Sequence, residues 1–230
     1  MLNALLHEIH RLRKLIRDAK AEIDKAPKLL KAHQTKLANL QKAASDAKDE
    51  LKKRKAHQME LESRLKAAGQ TLAKHEKQFN ELSSPKEFAA KQADIDSTKT
   101  VIAQLETEIL EAITDIEERT AKIPTLDAAA AKGVTDFATF EKEAAEKLAR
   151  LKVEAADATK KLAEKDAQIP PAFKVQYERL VKAHGADGLA PVENNSCSAC
   201  RINLTQQQMG DIQKERISSC QNCGKVLYRP

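Results

Sequence analysis

The sequence predicts a mainly α protein, a long antiparallel coiled-coil hairpin with a small cysteine-bearing ribbon at its C-terminal end. Three observations carry this. Charged residues make up 32% and aromatic residues 3% of the 230-residue chain, with no Trp, which leaves little material for a conventional globular core. Gly (6) and Pro (7) are scarce although 41% of the residues are apolar, so the chain is neither disordered nor loop-rich. All four cysteines fall in the last 34 residues, as two C-x2-C pairs.

The first element is a heptad arm. Alternate steps of four and three residues from Leu5 visit Ile9, Leu12, Ile16, Ala19, Ile23, Ala26, Leu30, His33, Leu37, Leu40, Ala44, Ala47, Leu51, Arg54, Gln58, Leu61, Leu65, Ala68, Leu72, His75, Phe79 and Leu82. All but His33, Arg54, Gln58 and His75 are apolar, and a 3.5-residue period held this long marks a left-handed supercoil. The four polar positions read as register-setting groups. At Ser83-Ser84-Pro85-Lys86-Glu87 the pattern breaks into a new helix start, with Ser84 as N-cap, Pro85 at the first helical position and Glu87 closing a capping box. The tip of the hairpin is placed near 82–86.

A second arm runs through Phe88, Ile95, Ile102, Leu105, Ile109, Ala112, Ile116, Ile123, Leu126, Phe137, Phe140, Leu148, Leu151, Ala158 and Leu162 to Ile169-Pro170-Pro171. Each arm would be roughly 120 Å long, and a single amphipathic helix of that length would leave its stripe in water. The arms therefore cover each other, or a second molecule covers them. Charge favours the intramolecular hairpin, and with it a monomer. If residue i faces roughly 167 − i, the run Lys52-Lys53-Arg54-Lys55 lies beside Glu111, Asp115, Glu117 and Glu118. Pro27, Pro124 and Gly133 inside the arms predict bent helices. The hairpin is assigned to residues 1–169, a short helix and linker to 170–196, and the ribbon to 197–230. Phe173, Val175, Tyr177, Leu180 and Val181 give the short helix an apolar face, and Gly185, Gly188 and Pro191 predict a bend or hinge after it.

The motif Cys197-Ser198-Ala199-Cys200, nineteen residues, Cys220-Gln221-Asn222-Cys223 supplies the four thiolates of a tetrahedral zinc site; disulfides and an iron-sulfur centre are the alternatives. Four thiolates leave no open coordination position, so a single Zn2+ would be structural, a staple for the ribbon rather than a Lewis acid. With it go two short strands, 216–219 and 225–228, and a helical turn from Leu204 to Ile212 capped by Thr205.

Residues 80–88 (Asn80-Glu81-Leu82-Ser83-Ser84-Pro85-Lys86-Glu87-Phe88), 105–111 (Leu105-Glu106-Thr107-Glu108-Ile109-Leu110-Glu111) and the ending Cys220-Gln221-Asn222-Cys223-Gly224-Lys225-Val226-Leu227-Tyr228 resemble the bacterial four-cysteine zinc-ribbon coiled-coil proteins. The resemblance implies a kinked helical hairpin with a zinc ribbon at its open end and a binding rather than catalytic role. It also implies regulatory or nucleic-acid-binding work, in some members linked to an alternative sigma factor and to flagellar or type III secretion components. Ala199 and Gln221 depart from the Gly or Pro often found in such knuckles.

Net charge is +8 over residues 1–82, −5 over 86–168 and +3 over 169–230, so the basic excess sits at the two ends of the chain. The mirror rule sets Arg11, Arg13, Lys14, Arg17 and Lys20 near Lys147, Arg150 and Lys152 at the open end, where Arg201, Lys225 and Arg229 flank the knuckles. Two uses of that end follow. One is a non-catalytic adaptor or regulator that binds protein partners through hairpin and head. The other binds RNA or DNA through the basic patch, with Tyr228 as the one obvious stacking aromatic. A polymerase secondary-channel factor fits less well, because the tip Ser83-Ser84-Pro85-Lys86 is nearly neutral and the arms are long. The sequence predicts no enzyme: it has no glycine-rich phosphate loop and no nucleophile-base constellation, and His7 and His10 read as solvent-facing. No membrane-length apolar run and no signal peptide is visible, which points to the cytoplasm.

Overall fold

The computed structural model describes residues Met1–Pro230. Two long helices, α1 (Leu2–Asn80) and α2 (Pro85–Asp166), pack together as a hairpin. The turn between them is short and tied by its own backbone, with the Phe88 N–H donating to Ser84 O at 3.0 Å. Pro85 takes the first helical position, where its missing N–H forfeits nothing. Phe79 and Phe88 close the turn edge to face, 5.0 Å between ring centroids. Pro27 and Pro124 lie inside helices that continue through them.

The chain divides into a distal unit, His33–Thr139, and a proximal unit of Met1–Ala32 with Phe140–Pro230. Along the heptad seam of α1 every position is buried or half-buried except His33 and Arg54. Those two are therefore not buried register groups: Arg54 reaches sideways to Asp115 of α2, 3.4 Å away. The expected match of Lys52-Lys53-Arg54-Lys55 with the acidic run of α2 is realised by that contact alone, since Lys52 and Lys53 pair with Asp49 and Glu50 of their own helix. Lys48 also crosses to Asp127 at 2.7 Å. Ala44, Leu61, Ile95 and Leu105 are the buried residues of the distal unit.

In the proximal unit α2 gives way to α3 (Pro171–His184), a 3₁₀ turn (Gly185–Gly188), β1 (Leu189–Glu193), β2 (Ser196–Cys197), α4 (Gln206–Gln213), β3 (Ser218–Ser219) and β4 (Val226–Tyr228). The sheet order is β2-β1-β4-β3, with β1 and β4 parallel and both outer pairs antiparallel. Gly185, Gly188 and Pro191, read from sequence as a bend or hinge, instead lie in a tight turn and an inner strand. Gly188 shows why the turn is fixed, for a Cβ there would sit 3.1 Å from Leu180 O. The strand was hidden by Pro191, which removes a ladder N–H, although its carbonyl accepts from the Ser198 N–H at 3.1 Å.

Side-chain alternation gives this small sheet two apolar faces. Leu189, Val226 and Tyr228 pack with Leu6 and Ile9 of α1, with Ile169, and with Phe173 and Tyr177 of α3. Ala190, Val192 and Leu227 point the other way, onto Ile212 of α4, Cys197 and Cys220. Val175 of α3, expected on the apolar face, is 79% exposed. No helix is long and apolar enough to cross a membrane.

Candidate metal centre

Two backbone hairpins present the four thiols. After Cys197 the chain turns back so that the Arg201 N–H donates to Cys197 O at 2.7 Å, and the Gly224 N–H makes the same bond to Cys220 O at 2.8 Å. Both turns end in a left-handed residue, φ +60° at Arg201 and φ +71° at Gly224. Glycine takes that conformation freely, whereas an L side chain does so at a cost of about 1 kcal/mol. Each turn is closed against the neighbouring chain, with the Cys197 N–H on Ile202 O at 3.0 Å and the Cys220 N–H on Lys225 O at 2.9 Å. The sequence-predicted α4 is capped as expected at Thr205, in a full capping box with Gln208. Gln208 also donates to Ser219 O at 2.9 Å, anchoring that helix beside the second knuckle.

The four sulfurs lie within 4.8 Å of one another, with Cys197 to Cys223 at 3.8 Å and Cys200 to Cys220 at 3.5 Å. Each of these close pairs joins one knuckle to the other. A metal bound tetrahedrally at about 2.3 Å per thiolate would set sulfurs about 3.8 Å apart. All four thiols are free of disulfides, and Cys197 and Cys220 are buried. The cluster can hold a metal ion. Burial pushes the Cys197 thiol up and the Cys223 thiol up to about 12. The Ile202 N–H, aimed at the Cys200 sulfur, brings that thiol down to about 6. A buried thiol that resists ionisation becomes a thiolate when a divalent cation takes its proton's place, so this donor set suits a soft, thiophilic ion.

The basic residues singled out at the open end are not equivalent. Arg13 is half-buried and donates to Asp166 at 2.6 Å and to the Tyr177 hydroxyl at 2.8 and 3.0 Å, its guanidinium lying over the Tyr177 ring. It ties α1, α2 and α3 together and is not available to a partner. Arg11 is held by both oxygens of Glu8, and Arg17 by Asp18 and Asp187. Lys147 crosses to Glu22 at 2.8 Å rather than adding to a basic patch. Lys14, Lys20, Arg201 and Arg229 are exposed and Lys225 is half-buried.

Two further expectations are corrected. Tyr228 is 4% exposed, wedged between His7 and His10, so it offers no surface for base stacking. His10 is not solvent-facing. It is 3% exposed, its Nδ1 lies 2.8 Å from the Tyr228 hydroxyl, and burial holds its pKa down to about 4. Asn3 completes the contact by accepting from the Arg229 N–H at 3.0 Å and donating to Ile212 O at 2.9 Å. The signal for this second face was present as Leu2, Leu6 and His10, one apolar stripe beside the heptad seam.

No protein-family model matches the chain, and no curated protein does. Three solved structures resemble it over nearly their whole lengths. CT398 from Chlamydia trachomatis is 20% identical, with a TM-score of 0.59 over 100% of this chain and 99% of that one. The HP0958 protein from Helicobacter pylori is 20% identical, with a TM-score of 0.51 over 99% and 94%. A protein from Mycobacterium smegmatis is 18% identical, with a TM-score of 0.55 over 99% and 98%. At these identities the likeness establishes a shared fold.

Proposed function

We propose that the chain is a non-catalytic, cytoplasmic zinc protein of the four-cysteine zinc-ribbon coiled-coil kind, an adaptor or regulator that engages protein partners through its hairpin and its metal-stapled head. The observation that carries this reading is the cluster of four sulfurs within 4.8 Å, built from two knuckles of like geometry. Four protein thiolates would fill the coordination sphere of Zn2+ and leave no position for water, so the ion would stabilise the fold rather than activate a nucleophile. Sigma-factor, flagellar or secretion components are the partners that the family resemblance implies. The internal pairing of Arg11, Arg13 and Arg17, with Tyr228 buried, lowers the support for the nucleic-acid alternative.

Metal analysis of the purified chain should return one zinc per chain, and Cys220→Ser should lose it while the helical circular dichroism stays largely intact. Affinity capture from native lysate, run with and without chelator, tests the adaptor role: a protein retained only by the metal-loaded chain supports it. Salt-titrated filter binding to RNA and DNA is the counter-test. Tight binding that weakens steeply between about 50 and 300 mM salt would return the reading to nucleic acid.

A further inference from the structure

The distal unit carries a charge pattern that its own hairpin leaves unused. In heptad terms the flank of α1 beside the seam is Lys48, Lys52, Lys55, Met59, Glu62 and Lys66, and the corresponding flank of α2 includes Glu106, Leu110, Ile113, Glu117 and Asp127. The Lys48–Asp127 bridge of 2.7 Å shows that both flanks lie on one side of the hairpin. On that side Met59 is 71% and Leu110 65% exposed. Lys55, Lys66, Glu106 and Glu117 are exposed and join none of the ion pairs of the unit. One side of the distal hairpin thus pairs a basic column with an acidic one, and a large apolar side chain interrupts each.

We infer that this side is a self-complementary surface on which a second copy of the chain docks in parallel, its α1 against α2 of the first. A two-fold axis running along the hairpin sets the lysine column of each copy on the acidic column of the other. An axis across the hairpin would set lysines on lysines, which like-charge repulsion opposes. Arg54 opposite Asp115 fixes the level of the two columns. Met59 then meets Leu110 of the other copy, Lys52 and Lys55 bracket its Glu117, and Lys66 reaches its Glu106. Glu62 is the one like-charged neighbour of that glutamate. The opposite side of the hairpin lacks this property: Glu50, Lys53, Glu60 and Arg64 on α1 are mixed in sign, while Glu108, Glu111, Asp115 and Glu118 on α2 are all acidic.

Sedimentation velocity of the full metal-loaded chain at low salt should show a concentration-dependent dimer that dissociates as salt is raised. Lys52→Glu with Lys55→Glu, and separately Glu106→Lys with Glu117→Lys, should each weaken the dimer by about tenfold or more, with helicity checked by circular dichroism. An equimolar mixture of the two variants should regain it, and so should one chain carrying all four reversals. The variants with one column reversed distinguish the orientations, because an arrangement across the hairpin already sets like charges together in the wild type and reversing one column would not weaken it. A wild-type chain that stays monomeric at all salts, charge-reversed variants that dimerise as wild type does, or a four-reversal chain that stays monomeric would each overturn the proposal.

Discussion

His10 shows how one residue couples two distant parts of the chain. Its ring is buried against Tyr228, its Nε2 has no hydrogen-bond partner, and burial keeps it neutral. Because its folded pKa of about 4 lies below the ordinary 6.5, the unfolded chain binds the extra proton more readily. Stability is therefore full above about pH 6.5, falls as pH drops toward 4, and the difference reaches roughly 3 kcal/mol. Denaturant unfolding of wild type and His10→Gln across that window checks this. The wild-type curve should fall more steeply with acid, and parallel curves would refute it. Arg201 and Gly224 make a second point at this scale. The same left-handed turn closes both knuckles, and only one of them carries the residue that sequence reading would look for.

Among the elements, α1 and α2 were the most legible, since a 3.5-residue period over many turns is a signal that no local accident imitates. The exceptions are instructive. His33 and Arg54 stand on seam positions yet are exposed, and the long Arg54 side chain leaves the seam sideways to Asp115 where a leucine could not. The strand β1 was not legible, because five residues containing a proline carry no periodic signal and the partner β4 lies far along the chain. Helix interiors also give a paired prediction. A Cβ added at Gly69 meets nothing within 4 Å, so Gly69→Ala should raise stability by about 1 kcal/mol through helix propensity. At Gly133 the same atom would fall 2.8 Å from Leu40 Cδ1, the end of a flexible side chain that must shift, so Gly133→Ala should gain less stability than Gly69→Ala. Thermal melts of the helical signal should rise more for Gly69→Ala than for Gly133→Ala.

For the molecule as a whole, the four cysteines were readable from their spacing alone as a cluster able to hold a metal ion, whereas the packing of the head against α1 was not. That packing depends on Leu6, His10, Asn3 and Tyr228 meeting in space, and nothing in their separation along the chain announces it. The sheet stands between the cysteines and the first turns of α1, each face covered by one of them. Removing the proposed zinc with a chelator should therefore loosen both sides. Hydrogen exchange should speed up in residues 197–228 and also in residues 2–13 of α1, while residues 33–139 keep their protection. Unchanged exchange in residues 2–13 would show that the sheet holds α1 without the metal.

The pairing of His10 with Tyr228 spans 218 residues of chain. A ribosome adding about 5–20 residues per second makes Leu6 and Ile9 some ten to forty seconds before the strand that covers them. Throughout that interval the apolar stripe of Leu6 and Ile9 lacks the strand that completes its cover. A chain lacking Val226 to Tyr228 would leave that stripe covered only by Ile169, Phe173, Tyr177 and Leu189.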